Sequence, residues 1–147
     1  MAPTAASIDV NRPADDVFAY ATDPSRFAEW QKGVVGGQMN EPGTPIVGAR
    51  CVTIRRIGFA NRPITSEITY VDSPRSWGLR GIDGPIRAIV DVSVERLGDS
   101  SSRLTITIDF KGHGIGTVLV PLVVLPEARK EMPANLAALK RHLEGAT

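Results

Sequence analysis

The chain has 147 residues, 42% of them hydrophobic and 22% charged, the proportions of an ordinary globular domain, which exclude a disordered, collagen-like or coiled-coil chain. Seventeen Lys and Arg against sixteen Asp and Glu leave a net charge of +1 with no block of like charges, so no nucleic acid partner is expected. The length suits one domain over residues 1–147. Cys51 is the sole cysteine, which rules out an internal disulfide and a thiolate metal cluster. Residues Met1 to Ser7 lack the charged start and apolar stretch of a signal peptide. The longest apolar run, Val118 to Pro126, contains Pro121 and is far short of the roughly 20 residues that span a bilayer. A soluble, cytoplasmic protein without a transmembrane segment is expected.

In Ala5–Val10, Ile8 and Val10 alternate with Ser7 and Asp9, the period of a half-buried strand. Pro13 with Asp15 and Asp16 then opens a helix whose Val17, Phe18 and Ala21 share a face. Asp23-Pro24 caps a second short helix carrying Phe27 and Trp30. From Gly33 to Gly112, turn signals at Pro42-Gly43, Asn61-Arg62-Pro63, Ser73-Pro74, Asp83-Gly84-Pro85 and Gly98-Asp99-Ser100 separate strand-length stretches. Connections this short cannot hold parallel crossovers, so an antiparallel meander is expected. Its last two strands alternate cleanly: Ala88, Val90, Val92 and Val94, then Leu104, Ile106, Ile108 and Phe110, face one side. Met132, Leu136, Leu139 and Leu143 form the stripe of a long amphipathic C-terminal helix ending at Gly145. A kink is expected near Pro133 and an irregular or separately helical stretch before Pro126.

Three stretches match a known family in wording as well as order. They are Arg12-Pro13-Ala14-Asp15-Asp16-Val17-Phe18-Ala19-Tyr20 with Phe27-Ala28-Glu29-Trp30, then Glu67-Ile68-Thr69-Tyr70-Val71-Asp72-Ser73-Pro74, then Asn135-Leu136-Ala137-Ala138-Leu139-Lys140. In these the chain resembles the START and Bet v 1-like (SRPBCC) superfamily, and in particular its bacterial polyketide cyclase/dehydrase branch. The resemblance implies an α+β helix-grip fold, a curved antiparallel sheet of about seven strands wrapped around the long C-terminal helix, with two short helices after the first strand. It further implies a cavity between sheet and helix that takes an apolar small molecule, lipid-like, aromatic or polyketide-like.

Strand phase assigns the lining of such a cavity to Val52, Ile54, Arg56, Ile64, Ser66, Ile68, Tyr70, Trp77, Leu79, Val90, Val92, Ile106, Ile108 and Phe110, with Met132, Leu136 and Leu139 opposite. Inward polar groups are the informative ones, because burial without a partner is costly. Arg56 in phase with Val52 and Ile54 would bind a carboxylate or polarise a carbonyl, Tyr70 would donate a hydrogen bond or a proton, and His113 at a strand end would act as acid or base. Cys51, out of phase with Val52 and Ile54, is not read as a nucleophile. No spacing of histidines and carboxylates marks a metal site, and no phosphate or dinucleotide loop is present, so no cofactor is expected. Three readings stand together: a hydrophobic-ligand binder, a cyclase or dehydratase using Arg56, Tyr70 and His113, and an interaction module with a packed interior that docks through the apolar segment 115–125. The oligomeric state is open between monomer and homodimer.

Overall fold

The computed structural model describes residues 3–40, 46–57 and 59–145; the turn expected at Pro42-Gly43 lies outside them. Strand β1 (Thr4–Val10) leads to helix α1 (Ala14–Ala21), a 3-10 turn (Pro24–Arg26) and helix α2 (Phe27–Trp30). Strands β2 (Val34–Met39), β3 (Arg50–Ile57), β4 (Ala60–Asp72), β5 (Ser76–Gly81), β6 (Ile86–Gly98) and β7 (Ser101–Gly112) follow. The chain closes with α3 (Gly116–Leu119), a π-helical turn (Val120–Val124) and α4 (Leu125–Gly145). The strands form one curled antiparallel sheet in the order β1-β7-β6-β5-β4-β3-β2, so β1 and β2 lie at opposite edges and the two short helices cross between them. This is the expected helix-grip arrangement.

Local chemistry explains the crossing. The Pro13 carbonyl accepts from the Val17 amide at 3.1 Å to start α1, whose first turn carries Asp15 and Asp16 at the positive end of the helix dipole. Asp23 accepts from the amide and the hydroxyl of Ser25, at 3.0 and 2.7 Å, while Pro24 opens the turn without an amide to satisfy. Phe27 and Trp30 are buried edge to face with ring centres 5.9 Å apart. At the other end of the chain, α4 passes Pro133 as one helix, and the stretch before Pro126 is separately helical, as expected.

Strands β6 and β7 pair as their alternation requires, with Val92 opposite Ile106 and Val94 opposite Leu104 on the inner face. Against them lie Met132, Leu136, Leu139 and Leu143, all buried. Three expectations are corrected. Asn61-Arg62-Pro63 is not a turn: it lies inside β4, and β3 ends at Ile57 opposite Ala60. Pro63 is tolerated there because β5 reaches only as far as Ser66, so that part of β4 has a strand on one side only.

The second correction is the phase of β3. Cys51 pairs with the inward Ser66 and Thr53 with Ile64, and opposed residues share a face. Cys51 and Thr53 are therefore inside and buried, with Arg55 next in line, while Val52, Ile54 and Arg56 point to the outer face. Burial pushes the Cys51 thiol up to about 11, consistent with an inert core residue. Third, the register slips between Ile68 and Tyr70; the extra residue reverses the alternation and turns Tyr70 outward.

Helix α4 is tied to β1 by a polar clamp. Lys140 Nζ donates to the Asp9 carbonyl at 2.6 Å and to Glu144 Oε2 at 2.7 Å, and Glu144 Oε2 also accepts from the Asn11 amide at 2.8 Å. Asp9 accepts from Arg103 Nε at 2.8 Å. The bond from Arg103 holds the Asp9 carboxyl below its usual range, and the bonds from Lys140 and the Asn11 amide do the same for Glu144.

Two outcomes follow from this packing. Leu139→Ala, at a side chain with no exposed surface, is expected to lose about 2–5 kcal/mol in urea denaturation. For Asp9 and Glu144 the folded protein binds protons less readily than the unfolded chain. Their contribution is therefore complete above the ordinary carboxyl range and is lost as the pH falls through the lowered values. Melting temperature measured from neutral pH into acid should fall less steeply in Glu144→Gln than in the parent protein, and identical slopes would show that the clamp adds nothing.

Candidate ligand-binding cleft

The inner face of the sheet has two unequal halves. Toward one end Trp77, Leu79, Val92, Val94, Leu104 and Ile106 are buried against the α4 stripe, with Ile68 and Ser66 beside them. Toward the other end, where β3 meets β4, β5 meets β6 and β7 ends, the inward side chains Ile64, Ala88, Val90, Ile108 and Phe110 are only half-buried. Apolar side chains facing inward yet reachable by solvent mark an opening between sheet and helix.

Helix α3 is held at the rim of this opening. Gly116 lies so close to the β5–β6 turn that a Cβ there would collide with the Pro85 carbonyl, which also accepts from the His113 amide at 2.8 Å. A groove of about 480 Å³ runs along this rim between the end of β7 and the start of the helical segment, lined by the charged Asp109 and Lys111 as well as by Phe110, His113, Val120 and Pro121. His113 therefore stands at a mouth, exposed. Of the segment 115–125, Val120 and Leu125 turn inward at 2% and 5% exposure, while Ile115, Val118, Leu122 and Val123 remain more than half exposed.

One strongly polar side chain enters from the sheet. Arg55, half-buried, follows Cys51 and Thr53 on the inner phase of β3, and its Nη2 donates to Gln31 Oε1 at 3.1 Å, just past the end of α2. Burial lowers the guanidinium pKa, and the negative charge of Glu131 on α4 opposes that shift. A guanidinium carries five N–H donors, and the bond to Gln31 uses one.

Sequence reasoning placed the inward arginine one position too far along. Arg56 is exposed on the outer face, and Val52 and Ile54, with Gln38, line a hollow of about 270 Å³ there. Tyr70 is also outside: its hydroxyl donates to Asp91 Oδ1 at 2.6 Å, and its ring lies over Gly78, where a Cβ would collide with it. Burial and the Asp91 carboxylate raise the Tyr70 phenol to about 12, which does not suit a proton donor. Ile68, Ser66, Trp77, Leu79, Val92, Ile106, Met132, Leu136 and Leu139 are inside and buried, at the closed end or on the helix above it, and Val90, Ile108 and Phe110 are at the open end. The Trp77 indole N–H is buried without a hydrogen-bond partner. The inward Arg55 and its partner Gln31 had no place in the sequence reading. The signal for Arg55 was present in the parity of the β3–β4 hairpin. Among the described residues no group of three or more His, Cys, Asp or Glu converges on a metal site, and no helix is long and apolar enough to cross a membrane.

Solved structures share this architecture. A START superfamily protein from Mycobacterium smegmatis superposes with a TM-score of 0.76 at 16% identity, each chain covered in full at 100%. The aromatase/cyclase Zhui from Streptomyces superposes with a TM-score of 0.68 at 18% identity, over 98% of this chain and 96% of that one. The di-domain aromatase/cyclase BexL gives a TM-score of 0.75 at 18% identity over 98% of this chain, which spans 47% of that longer protein. At such identities the likeness establishes the fold. No curated protein matches the chain. The family model described as polyketide cyclase / dehydrase and lipid transport matches residues 1–144, so by sequence as well as by fold this chain belongs to that family.

Proposed function

We propose that the protein binds an apolar or aromatic small molecule bearing an oxygen, in the cleft between the half-buried inner residues of β4, β6 and β7 and the helical segment above them. The observation that carries this reading is the row of half-buried apolar side chains on the inner face, Ile64, Ala88, Val90, Ile108 and Phe110, with Arg55 facing the same side from β3 and donating to Gln31. Family membership supports it, as does the description of two structural neighbours as aromatase/cyclases. A cyclase role would use the same parts. The cleft would hold a flexible chain folded, and Arg55 would stabilise negative charge building on a carbonyl oxygen during ring closure. His113, exposed on the rim groove, is the candidate proton-transfer group in this reading.

A thermal-shift screen against flavonoids, aromatic polyketides, sterols, isoprenoids and fatty acids tests the binding reading. A ligand at about a hundred times its dissociation constant stabilises the folded state by roughly 2.7 kcal/mol. Arg55→Ala should weaken a hit by about tenfold to a hundredfold, the worth of a hydrogen bond to a charged group, and Ala88→Trp should block it while the protein stays folded. Undiminished binding in both variants would rule out this cleft.

The exposed Ile115, Val118, Leu122 and Val123 favour a second reading, an interaction module that docks through segment 115–125. It predicts concentration-dependent association in light scattering that Leu122→Asp abolishes. A monomer at all concentrations would remove self-association from this reading.

A further inference from the structure

Two apolar projections stand at the same end of the sheet. The β3–β4 hairpin tip, the β5–β6 turn and the end of β7 all fall there by strand pairing, since Ile57 meets Ala60, Asp83 accepts from the Thr65 amide at 3.1 Å and Ile86 lies opposite Gly112. Phe59, at the hairpin tip, is entirely exposed. Beyond the end of β7, Ile115, Val118 and Leu122 recur at the three- and four-residue steps of one helical face, and with Val123 they are more than half exposed. From Ile115 to Pro126 no residue is charged, and the one side-chain hydroxyl, that of Thr117, already donates to the Gly114 carbonyl at 2.8 Å. Such a face offers a partner almost nothing directional.

The basic residues beside these projections differ from those elsewhere. Toward the opposite end of the sheet Arg75, Arg96 and Arg103 each meet a carboxylate. Arg56 and Arg62, on either side of Phe59, and Arg129 and Lys130, one turn into α4, are exposed and have no carboxylate partner among the described residues. Acidic residues at this end are fewer: Asp83 is taken up by the Thr65 amide, Asp109 pairs with Lys111 at 3.1 Å, Glu127 is exposed and Glu131 half-buried.

We propose that this end of the molecule docks on the surface of a bilayer rich in anionic lipid, with Phe59 and the Ile115, Val118, Leu122 and Val123 face entering the headgroup region and the unpaired Arg56, Arg62, Arg129 and Lys130 meeting lipid anions. Exposed apolar side chains flanked by basic ones are the composition that lies in a membrane interface. A second copy fits this end less well, because an isologous contact would set the same unpaired cations against one another. A protein partner with an ordinary polar rim would need hydrogen-bonding groups that the apolar face lacks. The inference goes beyond ligand binding and does not rest on it, although the half-buried inner residues Ala88 and Phe110 belong to the same end of the sheet.

Sedimentation of the full chain with vesicles of phosphatidylcholine alone, or with about one third phosphatidylserine, tests the docking. At low salt the anionic vesicles should bind the protein at least about tenfold more tightly than the neutral ones, and about 0.5 M NaCl should abolish most of that difference. Phe59→Ser and Leu122→Asp, both at exposed side chains, should each weaken binding about tenfold or more, and Arg56→Gln and Lys130→Gln about fivefold each, with melting temperatures unchanged. Ala88→Trp should leave vesicle binding as it is, which separates docking from ligand uptake in the cleft. A parent protein that stays in solution with anionic vesicles would overturn the docking, as would binding that is equal on neutral vesicles or indifferent to Phe59 and Leu122. Self-association abolished by Leu122→Asp, in a parent that ignores vesicles, would assign the segment to a second copy instead. Ligand hits in the thermal-shift screen stand in either case.

Discussion

The molecule depends on one apolar contact, the stripe Met132, Leu136, Leu139 and Leu143 of α4 pressed onto the inner face of a sheet whose strands are bonded only edge to edge. An antiparallel sheet of this kind has a wet face and a face that must be covered, and α4 is the long element available to cover it. The stripe meets one half of the face and closes it. Beyond it, the start of α4 and the π-helical turn turn only Leu125 and Val120 fully inward, too few to seal the other half. The cleft is what remains when one helix covers a sheet wider than its own apolar stripe.

That geometry also explains why a cation is tolerated inside. Arg55 is half-buried on the inner phase of β3, and its head donates to Gln31. A fully enclosed guanidinium would need every donor satisfied by protein, whereas one at an opening can leave donors for water or for a ligand. The unpaired indole N–H of Trp77, by contrast, lies in the packed half.

Most of the frame was legible along the chain because it rests on local periodicity: the alternation in β6 and β7, the four-three-four spacing of the α4 stripe, the Asp23-Pro24 cap. The misreadings of β3 have one physical origin. Val52 and Ile54 are apolar and were taken as inward, yet Ile57 opposite Ala60 leaves two residues between the strands, so every opposed pair in this hairpin sums to an odd number. Inward Ile64 and Ser66 on β4 then demand Thr53 and Cys51 on β3, and alternation carries Arg55, opposite Arg62, to the same face. Reading Asn61-Arg62-Pro63 as the turn concealed this rule. The bulge before Tyr70 had no comparable signal, since an extra residue changes the face of a side chain without changing the composition around it.

The sequence by itself determined the element order, the antiparallel sheet, the covering helix and the family, because turn residues, caps and apolar periods act over a few neighbours at a time. Only the tertiary structure decided which arginine of β3 faces inward and which half of the inner face stays half-buried. It also brought Gln31 and Arg55 together from separate elements. Those outcomes depend on strand register and on how far a helix extends across a sheet, and each is set by contacts between residues tens of positions apart.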